Sequence, residues 1–282
     1  PASVNFYCAA SGDMLKFNHP ETQHIKGEIQ MDRYQAFKEK LDRKEKIVMA
    51  NLQLLQNPLL LRAFEAADCI LIDKEHGIYN TENLVPLTRE CRALGLPSIV
   101  RVEDTLYHLI AKAIDLGADG IMLPRTETTE QIRTAVEAMH FAPIGRTGFG
   151  GWGLFREGET LEDFQHGRFL FPQIESHKGL LEMENMIAAY GEYIDGFLIG
   201  PNDYSITMGV PCRHDDPVMI REFETFFSIC KKYGKSCGIY DPDLFHVQKH
   251  AGMGANIFWV GDDLGYLKAG FERFTDGIRN LE

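Results

Sequence analysis

Short apolar runs alternate with helix-like stretches along most of the chain. The runs begin at "IVMANL" (47), "CILID" (69), "SIVRV" (98), "GIMLP" (120), "FLFPQIE" (169), "GFLIG" (196), "SCGIY" (236) and "IFWVG" (257). Each is about the length of a strand buried on both faces, as parallel sheets require. Between and after them, residues 105–116, 129–139, 178–190, 218–233 and 262–281 read as helices. Eight strand-and-helix units in roughly 250 residues predict an α/β fold, a (β/α)8 barrel.

A doubly wound sheet would carry a glycine loop after its first strand, and "MANLQLLQNP" has no glycine. The glycine-rich "GRTGFGGWG" at 145–153 follows a helix and opens none, so it reads as a flexible loop. Ahead of the barrel, "MDRYQAFKEKLDRKE" at 31–45 places Tyr34, Phe37 and Leu41 on one side of a helix. The expected organisation is an N-terminal extension with one helix, 1–45, and a single barrel domain, 46–282.

Composition narrows the function. The chain has 282 residues, 44% of them hydrophobic, and a net charge of -12. No basic run offsets that charge, so nucleic acid is not an expected partner. A small metabolite is; if it is an anion, local cations, a metal or backbone N–H groups must hold it. No apolar run is long enough to cross a bilayer, and the six cysteines form no C-x-x-C pair, so a soluble, cytoplasmic protein is expected.

A barrel of this kind performs its chemistry at the C-terminal ends of its strands. Strand two delivers Asp73, Glu75 and His76, strand three Arg101, strand five Gln173, Glu175 and Ser176, and strand six Asn202, Asp203 and Ser205. Glu175 and Asp203 offer hard oxygen ligands on adjacent strands, with Gln173 on the same side as Glu175; the set suits a divalent cation, though helix capping would also use both acids. Gly200 and Pro201 predict a tight turn that aims backbone N–H groups inward. Arg101 ends a buried run and is either an ion-pair partner or an anion clamp. His76 is either structural or a general base whose other nitrogen Asp115 holds. Lys74 points away from Asp73 and Glu75 by alternation, so no Schiff-base lysine is expected.

"LIDKEHG", "VRV", "AIDLGADGIMLP", "FPQIES" and "GFLIGPNDYSITMG" occur in order over residues 47 to about 265. Together they resemble the HpcH/HpaI family of class II pyruvate aldolases. The resemblance implies a carbon–carbon lyase that cleaves 4-hydroxy-2-keto acids to pyruvate and an aldehyde through a metal-stabilised enolate. It implies Glu175 and Asp203 as ligands of Mg2+ or Mn2+, with Co2+, Ni2+ and Zn2+ as substitutes. It further implies that Arg101 stabilises the enolate and that His76 with Asp115 is the acid/base. Gln173, Ser176, Gly200, Pro201 and Asn202 complete the substrate site, and Glu75 helps to position the metal shell. A homo-oligomer is implied too, a hexamer or dimer that exchanges the last helix, where Leu264, Leu267, Phe271 and Phe274 lie at helical spacing. The alternatives are a related lyase or synthase, an oxaloacetate decarboxylase, and a non-catalytic keto-acid-binding barrel. "MANLQLL" lacks the family's Gly-x-Trp, and Thr147 stands where a second arginine is usual, which leaves the aldehyde side open.

Overall fold

The computed structural model describes residues 26–281 apart from 152 and 242, and it leaves aside the side chains of 26–32 and 244. The N-terminal extension before residue 26 lies outside the described residues. Eight parallel strands close into a barrel in sequence order: β1 (Ile47–Leu52), β2 (Cys69–Asp73), β3 (Ser98–Arg101), β4 (Gly120–Leu123), β5 (Phe169–Ile174), β6 (Gly196–Ile199), β7 (Ser236–Tyr240) and β8 (Ile257–Trp259). β8 returns to β1 with Met49 opposite Trp259.

The closed sheet follows from strands that are apolar on both faces. Leu52, Ile70, Ile72, Val100, Ile121, Leu170 and Ile199 point outward into the core shared with the helices. The alternate residues Ile47, Met49, Cys69, Leu71, Ile99, Met122, Phe169, Phe171, Leu198 and Ile257 fill the interior. Above them the inward positions turn polar, at Asn51, Asp73, Arg101 and Gln173, all buried. Polar side chains replace apolar ones towards the C-terminal ends of the strands.

The surrounding helices include α1 (Lys26–Arg43), α2 (Thr81–Leu94), α3 (Tyr107–Asp115), α4 (Thr129–Met139), α5 (Leu161–His166), α6 (His177–Tyr190), α7 (Pro201–Thr207), α8 (Pro217–Lys232), α9 (Leu244–Met253) and α10 (Asp263–Arg279). The expected strands and helices are present to within a few residues. Two expectations need correction. Gly200 and Pro201 open α7, with proline at the first helical position, where its missing N–H leaves no bond unmade. The glycine-rich stretch at 145–153 is partly tied down: Gly153 N–H donates to the Asp115 carbonyl (3.0 Å), and Arg146 pairs with Glu137 (2.8 Å).

α1 closes the N-terminal end of the barrel. Its Tyr34, Phe37 and Leu41 pack on the interior layer, with Tyr34 and Phe37 each within 5 Å of the Phe169 ring (4.8 and 4.9 Å between centroids). The opposite end, where the strands finish, stays open.

Candidate active site

The open end holds a cavity of about 430 Å³ lined by Asn51, Gln53, His76, Arg101, Gln173, Glu175, Gly200, Pro201, Asn202, Asp203, Tyr240, Trp259 and Asp262. A larger apolar groove, of about 510 Å³, lies elsewhere, between α10 and the turn at Pro58–Phe64. It carries one carboxylate, whereas the polar cavity gathers the candidate residues at the strand ends.

The turn after β2 organises one wall. Gly77 N–H donates to the Asp73 carbonyl (3.1 Å), and a Cβ on Gly77 would come within 2.2 Å of that oxygen, so the turn needs glycine. The Asp73 carboxylate accepts from the backbone N–H groups of Glu75 and His76 (3.1 and 3.2 Å), from Gln53 Nε2 (2.8 Å) and from Arg101. Burial pushes Asp73 up, but the Arg101 hydrogen bonds and charge, helped by Gln53, carry it below its ordinary value. Burial likewise weighs against the Arg101 charge, and Asp73 with Glu75 outweighs it, so the guanidinium is held charged. Its carbon also sits 5.1 Å from the centre of the Trp259 ring.

Arg101 leads to the carboxylates. Its Nη1 donates to Gln173 Oε1 (3.4 Å), and Gln173 Nε2 donates to Glu175 Oε1 (2.6 Å). Glu175 Oε2 accepts from the Arg125 backbone N–H (2.9 Å). Each oxygen of Glu175 therefore has one hydrogen bond and room for another partner. Burial pushes Glu175 up to about 7; the Arg125 N–H and Arg101 oppose the rise, and Glu75 and Asp203 add to it. Gly200 lies against this carboxylate so closely that a Cβ there would fall 2.2 Å from Oε1.

Among the described residues, no three His, Cys, Asp or Glu groups gather into a metal-binding cluster. What the cavity offers a cation is the pair Glu175 and Asp203. Two hard carboxylates fit Mg2+ or Mn2+, which keep several positions for water and substrate. The raised Glu175 fits as well, since a buried carboxyl that favours its proton is one whose charge a bound cation would offset.

His76 lines the cavity with its side chain half exposed, and its Nε2 lies 3.8 Å from Glu75 Oε2. Glu75 is buried between Arg101 (3.4 Å) and Arg125 (3.3 Å), and burial raises its carboxyl.

Asp115 is not brought to His76. It ends α3, which runs back from the open end towards the other face, and there its carbonyl meets Gly153. Within the chain, Glu75 is the carboxylate beside His76. Ser176 also departs from expectation. It caps α6, accepting from Gly179 N–H (3.2 Å) and donating to Glu127 (2.6 Å), and does not line the cavity. Ser205 Oγ is occupied by the Asn202 carbonyl and the Cys212 N–H. Lys74 faces away and pairs with Glu103 at 2.8 Å. Gln173, Gly200, Pro201 and Asn202 line the cavity. Asn51, Gln53, Tyr240, Trp259 and Asp262 were not anticipated.

The model of the HpcH/HpaI aldolase/citrate lyase family matches residues 54–267. The chain belongs to this family. It is an enzyme of the aldolase, or carbon–carbon lyase, class. A 5-keto-4-deoxy-D-glucarate aldolase of Klebsiella pneumoniae is 26% identical over 231 residues, 80% of this chain and 90% of the relative. A 2-keto-3-deoxy-L-rhamnonate aldolase of Salmonella gallinarum is 28% identical over 210 residues, 72% of this chain and 77% of the relative. The crystal structure of an HpcH/HpaI aldolase from Desulfitobacterium hafniense superposes with a TM-score of 0.78 at 22% identity, covering 87% of this chain and 97% of that one, and shows the shared fold. HpcH/HpaI membership also accounts for the order of the motifs along the strands. Among the described residues, no helix is long and apolar enough to cross a membrane.

Proposed function

We propose that the protein is a metal-dependent class II aldolase that cleaves 4-hydroxy-2-keto acids to pyruvate and an aldehyde, or runs the addition. The observation that carries this reading is the hydrogen-bonded line Asp73–Arg101–Gln173–Glu175, which ends beside Asp203 in a cavity that also holds His76. A buried arginine, two carboxylates of the kind a divalent cation takes and an imidazole around one space are what support it.

A divalent cation held by Glu175 and Asp203 would supply Lewis-acid stabilisation of negative charge at the keto-acid oxygens. The chain's own groups do the rest. Arg101, kept charged by Asp73, donates to the oxygen on which charge accumulates as the C3–C4 bond breaks. His76 takes the C4 hydroxyl proton, the hydroxyl carbon becomes the aldehyde, and the bonding pair passes to the pyruvate fragment. The proton that His76 took, returned at C3 of that fragment, gives the methyl group and restores the imidazole. Glu75 positions the His76 ring, and Gln173 fixes the spacing between Arg101 and Glu175.

The same proposal includes a homo-oligomer and a cytoplasmic setting. α10 supports the first: Leu267, Phe271, Phe274 and Ile278 are each about 70% exposed, a stripe that calls for a covering surface. Cysteine spacing without a paired pattern supports the second.

The test is pyruvate release from a panel of 4-hydroxy-2-keto acids by chelator-stripped protein, with and without Mg2+ or Mn2+. Metal-dependent pyruvate is expected. Loss of oxaloacetate without any aldol cleavage would instead make the protein a decarboxylase.

A further inference from the structure

α6 and α7 each begin where a strand delivers a carboxylate. His177, the first residue of α6, comes two positions after Glu175, and Tyr204 directly follows Asp203 in α7. One side chain outside the cavity reaches both. Glu222 of α8 accepts from Tyr204 Oη at 2.5 Å, and His177 Nδ1 lies 2.8 Å from the same oxygen, Oε2. None of the three is among the residues that line the cavity.

α7 needs such a tie. It has seven residues, and no side chain caps its start. Gly200 N–H, donating to the Ile174 carbonyl (3.1 Å), joins that start to β5. Further along, Thr207 Oγ1 is given to the Tyr204 carbonyl (2.8 Å) and reaches the Glu175 carbonyl only at 3.5 Å. Tyr204 is fully buried in the apolar layer between strands and helices. Apolar packing has no direction of its own, so a ring held by it alone can turn or slide, whereas a phenol bonded to a fixed acceptor is held in place. The acceptor is fixed here, because Glu222 is 14% exposed and α8 packs beside α6. Burial and the Glu222 carboxylate raise the Tyr204 hydroxyl above its ordinary value, so the phenol keeps its proton and remains the donor. A hydroxyl donating to a carboxylate makes one of the stronger hydrogen bonds.

We infer that Glu222 is a positioning residue for the cation site: by holding Tyr204 and His177 with one oxygen, it fixes the backbone that carries Asp203 relative to the backbone that carries Glu175. The inference rests on the reading of those two acids as cation ligands. A small divalent cation such as Mg2+ demands near-ideal geometry, so two ligands on separate elements serve it only if the elements keep their spacing. Glu222 supplies that constraint from outside the cavity without touching the cation.

Calorimetric titration of chelator-stripped protein with Mn2+ reads the constraint in the absence of any substrate. Glu222→Ala, and Tyr204→Phe, which keeps the ring in its layer, should each bind Mn2+ about tenfold or more weakly than wild type, with circular dichroism unchanged. Glu222→Gln should restore most of the affinity, since its amide oxygen accepts the same bonds. Adding Tyr204→Phe to Glu222→Ala should cost little more than Glu222→Ala alone, as expected of two changes to one bond. Wild-type affinity in Glu222→Ala and Tyr204→Phe, even with a lowered Tm, would overturn the inference and leave Glu222 a part of the packing. Glu222→Gln as weak as Glu222→Ala would overturn it too, by making the charge and not the bonds responsible. Glu175→Gln and Asp203→Asn test the reading beneath: wild-type Mn2+ affinity in both would remove the cation site itself, whereas their loss of binding beside an unaffected Tyr204→Phe would sink the inference alone. Should Glu222→Ala fail to fold, Tyr204→Phe still decides it.

Discussion

Asp73 grips Arg101 through two hydrogen bonds, Nε to Oδ1 at 2.8 Å and Nη2 to Oδ2 at 2.5 Å, with both side chains buried. Each pins the other across β2 and β3. Asp73→Ala strands a buried guanidinium, and such a break costs about 3–5 kcal/mol. Denaturant unfolding of Asp73→Ala should show that loss, and Asp73→Asn, which keeps hydrogen bonds to Gln53, a smaller one. Catalysis should fall in both, since Arg101 no longer faces Gln173 at a fixed angle.

His76 divides two chemistries. Decarboxylation of a keto acid needs no base at C4, whereas aldol cleavage does. His76→Ala should lower aldol cleavage by about a hundredfold or more, while metal-dependent oxaloacetate decarboxylation is affected far less. Assaying both substrates with one preparation checks it, and parallel losses would remove His76 from the role of base.

Gly200→Ala tests the cradle around Glu175. The added Cβ would overlap Glu175 Oε1 at 2.2 Å and Gln173 Nε2 at 2.6 Å, so the carboxylate has to move. The backbone φ of -96° suits alanine, so the fold should survive. A metal titration by calorimetry should show affinity reduced by about tenfold or more. Unchanged affinity would mean that Glu175 does not bind the cation.

The raised Glu175 predicts a pH dependence with a definite sign. A folded carboxyl titrating at about 7, above its ordinary 4.5, binds its proton more tightly than the unfolded chain does. Its contribution to stability is full below the unfolded value and is lost as pH rises through the folded one. Metal-stripped protein should therefore lose part of its Tm between about pH 5 and pH 7, and Glu175→Gln should lack that component. Apparent metal affinity should climb over the same interval, because the cation must displace the proton.

α10 offers a test of assembly. Phe271 and Phe274 are more than 70% exposed on one stripe of the helix. Phe271→Glu with Phe274→Glu should shift the particle to smaller mass in light scattering while circular dichroism stays the same. A monomeric wild type would remove the oligomer from the proposal.

Much of this molecule could be read before it was seen, for identifiable reasons. Strands such as Cys69–Asp73 and Phe169–Ile174 are buried on both faces, so each appears as an unbroken apolar run ending in the residues the mouth needs. The same rule that placed Glu175 could have corrected Asp115: helices return to the far face, so a residue ending α3 belongs there. Ser176 was a capping serine, and its Gly179 partner three residues on was the available signal. Asn51 is the polar break in an otherwise apolar alternation, Ile47, Met49, Asn51. Tyr240 and Trp259 gave no comparable warning, since aromatic residues at the end of a strand read as core. Glu75 between two arginines and a histidine is a product of the turn after β2 meeting the end of β3 and the loop after β4, and no local pattern encodes that.

The helix that stoppers the barrel ties together distant parts of the chain. Ser236 Oγ donates to the Leu41 carbonyl, 195 residues earlier, and Tyr34 and Phe37 rest on Phe169. Contacts of such long sequence separation form slowly, because the intervening chain must first be brought together. During synthesis, α1 is made well before the strands on which it rests. Until β7 and β8 have been made, the stripe Tyr34, Phe37 and Leu41 has no complete surface to cover, so the stopper can seat only after nearly all of the barrel exists.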